Sequence, residues 1–347
     1  MGTWLILIAV GGTLLVSSWL TGVLRRYALR TQLLDLPNAR SSHSRPTPRG
    51  GGLAIVVSFN LALLVSWWLG AVAPEFVAAA GIGGLLIAAV SYLDDRHNLP
   101  ARWRFPVHLI AAGVALWWLG GFPCLPLPGL ELGFGWLGIP LGVLCIVWLL
   151  NLYNFMDGID GIAGVEAVTV AAGAALLLWV RGDAAMAGVL VLLAAAVLGF
   201  LAWNWPPARI FMGDVGSAYL GFVLGVMALA TSAEGPLNLW VWLILLAVFI
   251  TDATVTLLRR LLRGERWYEA HRTHAYQHAA RRFGSHRKVT LAVGALNVLW
   301  LLPLAGVACA LPGYGWWLAV VAYLPLLLLA VKFGAGQAPA AEPAGAQ

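Results

Sequence analysis

Residues 184–203 read AAMAGVLVLLAAAVLGFLAW, a continuous apolar run that contains no charged side chain. A helix of about 20 mostly apolar residues is long enough to cross the hydrocarbon core of a bilayer. The preceding run, at residues 162–180, has a similar length and is also mostly apolar. Both stretches are therefore predicted to be transmembrane helices, and they set the pattern for interpreting the rest of the chain.

The composition of the whole chain agrees with these runs. The protein has 347 residues, of which 61% are hydrophobic and only 10% are charged. A soluble domain carries roughly 25% charged residues, and a disordered chain has low hydrophobicity, so both classes are excluded. A membrane β-barrel would alternate apolar and polar residues, whereas these runs are continuous. The predicted fold class is an all-α polytopic membrane protein.

Eleven apolar runs are long enough to span a bilayer, and we predict one transmembrane helix for each. They lie at residues 3–23, 52–71, 76–93, 104–120, 136–153, 162–180, 184–203, 216–232, 236–258, 289–310 and 316–332. Residues 1–333 are predicted to form a single integral membrane domain, because no second soluble domain interrupts these runs. Residues 334–347 are rich in Ala, Gly, Pro and Gln, which is typical of a disordered tail.

The basic residues give this topology a direction. With eleven spans, 20 of the 21 Lys and Arg residues lie on one side of the membrane, and only Arg181 lies on the other. Lys and Arg accumulate in cytoplasmic loops, so the N-terminus is predicted to be outside and the C-terminus to be cytoplasmic. The formal net charge of +6 is thereby explained by orientation, and no nucleic-acid partner is expected.

Four polar motifs stand at the predicted cytoplasmic ends of the helices, on one face of the membrane. They are SYLDDR at Ser91–Arg96, NLYNFMDGIDG at Asn151–Gly161, FMGDVGS at Phe211–Ser217 and HRTHAYQH at His271–His278. A carboxylate within a transmembrane segment is costly and is by default a candidate functional group. The four motifs therefore predict a functional site at the inner membrane face.

The residue types in these motifs indicate a phosphate-handling, metal-dependent site. Mg²⁺ takes oxygen ligands, usually one or two carboxylates together with substrate phosphates. The motifs supply more carboxylates than one metal needs, so some are expected to transfer protons or bind substrate: Asp94, Asp95, Asp157, Asp160 and Asp214. Glycines allow backbone N–H groups to approach a phosphate, and Arg and His can neutralise its oxygens.

Structural explanations compete with these functional ones. Asp157 and Asp160 could cap the N-terminus of the following helix, because Asp is a preferred N-cap residue. Asp252, a few residues inside its predicted helix, could simply pair with Arg259 or Arg260. The residues alone leave both alternatives open.

Taken together, the motifs resemble a known family. N-x-x-N-x-x-D-G-x-D-G, F-M-G-D-x-G-S, the acidic pair Asp94–Asp95 and the segment PTPRGGG at Pro46–Gly52 occur in the order typical of the polyprenyl-phosphate N-acetylhexosamine-1-phosphate transferases. This superfamily, glycosyltransferase family 4, includes WecA, TagO and MraY. The resemblance covers roughly residues 35–290. Eleven helices with the N-terminus outside are similar to the WecA branch rather than to the ten-helix MraY branch.

The resemblance implies a reaction and its partners. A sugar 1-phosphate moves from a UDP-N-acetylhexosamine to undecaprenyl phosphate, UMP leaves, and Mg²⁺ or Mn²⁺ is required. The implied location is the bacterial inner membrane, with the active site facing the cytoplasm. The lipid bilayer is then a partner as well as a solvent, and association into a homodimer is left open.

The resemblance also implies roles for individual residues. Asp214 and Asp157 would bind the metal, and Asp94 and Asp95 would lie near the acceptor phosphate, one of them as a general base. Asp157 and His274 would complete the catalytic set, with His274 facing the diphosphate. The predicted substrate-binding residues are Asn154, Gly158, Asp160, Phe211, His271, Arg272 and Arg49. Of these, Phe211 would stack on the uracil ring.

The late loop departs from the common family pattern. Many relatives carry H-x-H-H or H-H-H, whereas this chain reads His274-Ala275-Tyr276-Gln277. The longer string WYEAHRTHAYQ, at residues 267–277, looks like the branch that initiates O-antigen and related surface glycans, often on 6-deoxy-N-acetylhexosamines. The resemblance therefore leaves open whether the donor is a GlcNAc-type or a 6-deoxy sugar nucleotide.

Two other functions are weighed against this one. Asn154-x-x-Asp157-x-x-Asp160 superficially resembles the Asp-rich motif of UbiA-like prenyltransferases, but a second Asp-rich repeat is missing. A lipid or solute transporter would place polar groups near the membrane midplane and often shows repeat symmetry. Neither feature is found here, because the acidic residues gather at one face.

Overall fold

The computed structural model describes residues 3–37, 43, 45–233, 235–265 and 271–337. Within them the chain is almost entirely helical. The helices are α1 Thr3–Arg30, α2 Leu53–Trp68, α3 Pro74–Val77, α4 Gly83–His97, α5 Ala101–Leu119, α6 Gly138–Phe155, α7 Ile162–Val180, α8 Ala184–Asn204, α9 Asp214–Ala233, α10 Leu239–Leu245, α11 Ala247–Leu262, α12 Ala275–Phe283, α13 His286–Leu296, α14 Leu302–Ala310 and α15 Gly315–Lys332.

Every one of the eleven predicted spans coincides with a helical segment, so the all-α membrane class is confirmed. Among the described residues, eight helices are long and apolar enough to cross a bilayer. A ninth span would combine α10 and α11, which are bent by 75° at Leu246. The other two segments are α2, which has only 16 residues, and α5, which contains Arg102 and Arg104. The count of eleven and the orientation of the termini therefore stay predictions.

Two long helices each contain one wider, π-type turn. Ala78–Ile82 joins α3 to α4, and Asn297–Leu301 joins α13 to α14. The spans are therefore continuous over Pro74–His97 and His286–Ala310. Apolar periodicity did not predict these turns, because one extra residue in a turn leaves a uniformly apolar run unchanged.

Helix α9 forms the centre of the bundle. Sixteen of its 20 residues are buried, and it packs against α4 and α6. Gly221 permits the contact with α6, since an added Cβ there would lie 2.7 Å from Cα of Leu150. The N-terminus of this buried helix carries Asp214, so the metal ligand implied by the family resemblance is held by the least exposed helix of the protein.

The two strand pairs are short. β1 (Leu34–Asp35) pairs antiparallel with β2 (Thr47–Pro48), and β3 (Leu125–Leu127) pairs with β4 (Leu130–Leu132). The β1–β2 pair matters for the site, because it precedes the glycine segment that packs on α9. Pro48 O accepts a 2.8 Å hydrogen bond from the Phe211 N–H, which ties this pair to the segment preceding α9.

The glycine segment that follows β2, Gly50–Gly52, packs directly against the backbone at the beginning of α9. The N–H groups of Gly51 and Gly52 donate to the carbonyls of Phe211 and Met212 at 2.9 and 2.8 Å. An added Cβ on Gly52 would lie only 2.3 Å from Cα of Gly216. This backbone contact brings Arg49 beside the N-terminus of α9, so the PTPRGGG and FMGDVGS motifs meet although about 160 residues separate them.

The predicted disordered tail begins too early. Ala335 is buried, and its carbonyl accepts a 2.9 Å hydrogen bond from Nη1 of Arg259. The Gly336 N–H donates to Thr273 O at 2.6 Å, and His278 Nε2 lies 3.2 Å from Gln337 O. Helix α15 is therefore followed by a packed segment, residues 334–337, whose backbone groups form hydrogen bonds with distant residues. Composition does not reveal such bonds. Residues 338–347 of the predicted tail lie outside the described residues.

We predict that Gly52→Ala lowers both the melting temperature and the yield of folded protein. The added methyl group would overlap the backbone of α9, and overpacking of this kind typically costs about 1–3 kcal/mol. Thermal unfolding in detergent measures the effect. The matched control is Gly113→Ala in α5, where no atom lies within 4 Å of the new Cβ. Equal melting temperatures for the two variants would contradict the close packing of α2 on α9.

Candidate active site

A cavity of about 400 Å³ opens where the predicted motifs converge. Its walls are formed by Asp35, His43, Arg49, Asp95, Asn154, Asp157, Gly158, Ile159, Asp160, Asn204, Phe211, Met212, Gly213, Asp214, Gln277 and His286. All four polar motifs and the PTPRGGG segment thus contribute residues to the cavity wall, the fourth motif only through Gln277. The structure therefore brings these segments together, whereas the roles predicted for their residues stay predictions.

Asp95 serves the architecture of the site. Its carboxylate accepts hydrogen bonds from the N–H groups of Asp214 and Val215, at 3.2 and 3.1 Å, at the beginning of α9. A carboxylate at a helix N-terminus satisfies free N–H groups and interacts favourably with the helix dipole. Gly213 makes the approach possible, since its φ is +75° and an added Cβ would lie 2.7 Å from Oδ2 of Asp95.

Asp214 is oriented by neutral and cationic neighbours. Its Oδ2 accepts a 3.1 Å hydrogen bond from Nδ2 of Asn154, and Asn154 in turn accepts from Ser217 Oγ at 2.7 Å. Nη1 of Arg104 lies 3.4 Å from the same Oδ2 and also pairs with Asp94. Arg104 therefore bridges two acidic residues, one from the Asp94–Asp95 pair and one from the start of α9.

Asp157 is the crowded carboxyl group of the site. It lies in the loop between α6 and α7, outside the membrane-spanning segments. Burial raises the pKa of Asp157 well above its usual value, and the neighbouring carboxylates of Asp214, Asp160 and Asp95 raise it further. Neighbouring carboxylates disfavour one another's ionisation, so a cation bound in this part of the cavity would be stabilised.

Asp160 joins the same loop to two other segments. Its Oδ2 accepts a 3.0 Å hydrogen bond from the Ala208 N–H, and Oδ1 lies 3.3 Å from Nδ1 of His286. Asn204 closes the adjacent turn, since its Oδ1 accepts from the Gly161 N–H at 2.9 Å. The carboxylate of Asp160 is therefore positioned by α13 and by the loop before α9, and it does not act as a simple N-cap of α7.

Phe211 and Arg49 lie on the cavity wall, as predicted. The ring of Phe211 meets the ring of His43 edge-on, with centroids 4.8 Å apart. Nη2 of Arg49 donates to the carbonyl oxygen of Asp95, which ties the glycine segment to the end of α4. An aromatic face and a guanidinium thus occupy the same cavity as the carboxylates.

The structure does not bring the predicted residues of the late loop to the cavity wall. His274 is buried, and its Nδ1 lies 3.3 Å from Oδ1 of Asp252, behind the cavity. His271 stacks on His274 at 4.9 Å, and burial, together with His274 and Arg260, lowers the pKa of His271 to about 3. The carbonyl of Arg272 accepts from Arg281, and Arg272 does not line the cavity. Residues 267–270, the first four of the string WYEAHRTHAYQ, lie outside the described residues.

Several cavity or near-cavity residues were missed by the sequence analysis. Arg104 was treated as a topology residue, although it pairs with both Asp94 and Asp214. Asn204 and His286 lie in none of the motifs, and Gln277 lies within the His271–His278 motif but was given no role. A spacing rule finds groups within one segment, whereas these residues reach the site from four different helices or loops.

The donor set fits a hard divalent cation. Among the residues that the structure describes, no group of three His, Cys, Asp or Glu side chains is arranged to hold a metal ion by itself. Mg²⁺, however, commonly takes one or two protein carboxylates and completes its shell with water and substrate phosphates. Asp157 and Asp214 both line the cavity together with Asp95 and Asp160, and a cation would compensate the charge of these acidic side chains.

The fold and the site together define a membrane-embedded phosphosugar transferase. Residues 77–232 match the family model described as glycosyl transferase family 4. The chain belongs to the polyprenyl-phosphate N-acetylhexosamine-1-phosphate transferase superfamily. This membership replaces the prenyltransferase and transporter alternatives that the sequence motifs left open.

Three relatives illustrate the breadth of the family. A probable undecaprenyl-phosphate N-acetylglucosaminyl 1-phosphate transferase of Bacillus subtilis is 29% identical over 83% of this chain and 81% of its own length. A decaprenyl-phosphate N-acetylglucosaminephosphotransferase of Mycolicibacterium smegmatis is 32% identical over 80% of this chain and 76% of its own length. A phospho-N-acetylmuramoyl-pentapeptide-transferase of a Synechococcus strain is 33% identical over 64% of this chain and 66% of its own length.

We predict that Asp157→Asn raises the melting temperature, and that the gain grows as the pH rises from 5 to 8. An acid whose pKa is raised in the folded state destabilises that state as pH climbs from its unfolded pKa through its folded pKa. The amide has no such cost, so the two melting curves should separate with pH. The control is Glu131→Gln on the exposed strand β4. A melting-temperature difference that does not change with pH would contradict the raised pKa of Asp157, which burial and its neighbouring carboxylates cause.

Proposed function

We propose that this protein transfers an N-acetylhexosamine 1-phosphate from a UDP-sugar to undecaprenyl phosphate, releasing UMP and leaving an undecaprenyl-diphosphate sugar. The observation that carries the proposal is the convergence of Asp157, Asp214, Arg49 and Phe211 on one cavity. A carboxylate cluster suits the metal of a metal–diphosphate complex, a guanidinium suits phosphate oxygens, and an aromatic ring suits a base. These features suit the metal-bound diphosphate and the base of a nucleotide sugar.

The proposed chemistry is a direct in-line displacement at phosphorus. A phosphate oxygen of the acceptor forms a bond to the sugar-side phosphorus of the donor, while the bond from that phosphorus to the bridging oxygen breaks. UMP departs with the bridging oxygen and its electron pair. The acceptor phosphate is largely ionised at neutral pH, so proton removal by Asp94 or Asp95 contributes only modestly, and Asp95 already accepts two backbone hydrogen bonds.

Charge neutralisation is then the main task of the protein. A Mg²⁺ or Mn²⁺ ion held by Asp157 and Asp214 would supply Lewis-acid stabilisation to the diphosphate. Asn154 keeps Asp214 in place through its 3.1 Å hydrogen bond. Arg49 lies on the cavity wall and Arg104 pairs with Asp214, so two guanidinium groups stand near the anionic substrates. Electrostatic stabilisation of this kind is usually the largest contribution to catalysis.

We further propose a bacterial inner-membrane location, with the cavity open to the cytoplasm. The placement of 20 of 21 basic residues on one predicted side supports this orientation. A site at helix ends on that side can meet a soluble nucleotide sugar and a lipid phosphate at the membrane surface. The product would initiate O-antigen or another cell-envelope glycan, on a GlcNAc-type or a 6-deoxy-N-acetylhexosamine.

The proposal predicts UMP release from a defined mixture. Purified protein, undecaprenyl phosphate and Mg²⁺ should release UMP and form a lipid-linked sugar with at least one UDP-N-acetylhexosamine of a panel that includes UDP-GlcNAc and 6-deoxy sugars. Coupled UMP detection and chromatography of the lipid product provide the measurement. If no donor yields UMP while the protein remains folded, the proposed reaction is wrong. Pyrophosphate release in its place would indicate a prenyl transfer.

A second prediction concerns the metal. Asp214→Asn should lower kcat by at least about 100-fold, because the amide cannot supply the anionic oxygen that the metal requires. Cooperative melting at or above the wild-type temperature in the absence of metal would show that the variant is folded, and loss of Mn²⁺ binding measured by electron paramagnetic resonance would locate the defect. Full turnover by the folded variant would exclude Asp214 as a metal ligand.

A further inference from the structure

Gln277 lines the cavity, although no role was predicted for this residue of the His271–His278 motif. It is the third residue of α12, it is only 5% exposed, and it lies at the wall beside Gly158. Its Oε1 accepts a 3.3 Å hydrogen bond from the His274 N–H. An added Cβ on Gly158 would lie 2.7 Å from Nε2. The two ends of the amide therefore have different surroundings. Oε1 accepts the hydrogen bond of the helix cap, whereas Nε2 lies next to residues 156–161, the loop that carries Asp157 and Asp160 (the carboxylate loop).

Asp252 of α11 holds the beginning of α12 in place. Its carboxylate accepts hydrogen bonds from the N–H groups of Ala275 and Tyr276, both at 2.8 Å, and from Thr256 Oγ1 at 3.1 Å. His274 Nδ1 lies 3.3 Å from the same carboxylate. Four donors converge on one buried anion, which satisfies N–H groups that a helix N-terminus leaves free and orients the helix dipole towards the charge.

This anchor replaces the plain ion pair that the sequence left open. Arg259 donates to the carbonyl of Ala335, and Arg260 pairs with Glu265 at 3.0 Å. Helix α12 is thereby fixed relative to α11 by Asp252.

Helix α12 in turn contacts the end of α6 and the carboxylate loop through Tyr276. Tyr276 Oη donates to the carbonyl of Phe155 at 3.1 Å, at the end of α6. An added Cβ on Gly158 would lie 2.2 Å from the same Oη, so the loop and the helix are in direct contact. The position of α12 therefore determines both where Gln277 stands and how the loop that carries Asp157 is supported.

We propose that Gln277 is a substrate-binding residue, which donates its Nε2–H to an oxygen of the nucleotide-sugar donor, and that Asp252 is the positioning residue that holds it at the cavity wall. The first part deepens the proposed function and rests on it. An amide N–H is a fitting donor here, because the neighbouring side chains of the loop are carboxylates, which when ionised can only accept.

The donor, rather than the lipid phosphate, is assigned because of the neighbours of Gln277. It adjoins Gly158 in the loop that continues to Asp160 and its partner His286. Asp95, of the acidic pair that the family resemblance places near the acceptor phosphate, belongs to a different part of the wall at the beginning of α9. Loss of the Gln277 amide should therefore weaken binding of the nucleotide sugar and leave binding of undecaprenyl phosphate unchanged.

The first experiment uses Gln277→Glu in the full-length protein. This variant keeps Oε1 for the cap and replaces the N–H donor by an oxygen, so the KM for the UDP-sugar should rise at least about tenfold while the KM for undecaprenyl phosphate stays within about twofold. Gln277→His offers a ring N–H at this position and should recover most of the lost donor affinity. An unchanged donor KM in Gln277→Glu, or an equal rise in both KM values, would overturn the assignment.

The second experiment tests Asp252 through a double-mutant cycle. Asp252→Asn should raise the donor KM, and its effect should be much smaller in the Gln277→Glu background than in the wild type, because both changes act on one interaction. The control Thr256→Val removes a hydrogen bond to Asp252 without touching α12 and should leave the donor KM near that of the wild type. Additive effects of Asp252→Asn and Gln277→Glu would overturn the positioning role.

A binding measurement separates failure of this inference from failure of the proposed function. The shift in melting temperature produced by UDP-GlcNAc or UMP reports donor binding without turnover. If the wild type shows neither binding nor UMP release with any UDP-sugar of the panel, the proposed function fails and the inference with it. If the wild type binds and Gln277→Glu binds equally well, only the inference fails.

Discussion

The carboxylate of Asp95 at the N-terminus of α9 is the contact on which the site depends. It accepts the N–H groups of Asp214 and Val215 and thereby joins the end of α4 to the most buried helix of the bundle. The contact requires Gly213, whose positive φ and missing side chain admit the carboxylate. Because free N–H groups at a buried helix end must be satisfied, the same interaction stabilises the fold and sets the direction of Asp214.

A second constraint follows from that arrangement. Burial raises the pKa of Asp157, and the acidic residues that gather around the cavity raise it further. A cation bound at this loop would offset that electrostatic cost. Arg104 relieves part of this charge from outside the cavity wall, and Asn154 orients Asp214 without adding charge. Stability and function are therefore opposed at this loop, since burying neighbouring carboxylates is costly for the fold, whereas the same carboxylates would suit a bound metal.

The sequence motifs indicated which segments meet at the cavity, but not which side chain of each segment faces it. The glycine-flanked motifs around Asp157 and Asp214 predicted residues that do meet in one cavity. His274 carries an equally suggestive motif, yet it is buried against Asp252 behind the wall. The difference lies in the rotation of the short helix α12, which is held by contacts of His274, Ala275 and Tyr276 with Asp252. Spacing along the chain carries no information about that rotation.

The sequence by itself determined the membrane class, the position of each helical segment and the gathering of acidic motifs at one set of helix ends. These properties follow from hydrophobic run length and residue type, which are local. The tertiary structure decided that Arg104 bridges two acidic residues, that α10 and α11 bend by 75°, and that Gln277 rather than His274 reaches the cavity. Those features depend on contacts between residues far apart in the chain, and packing alone selects them.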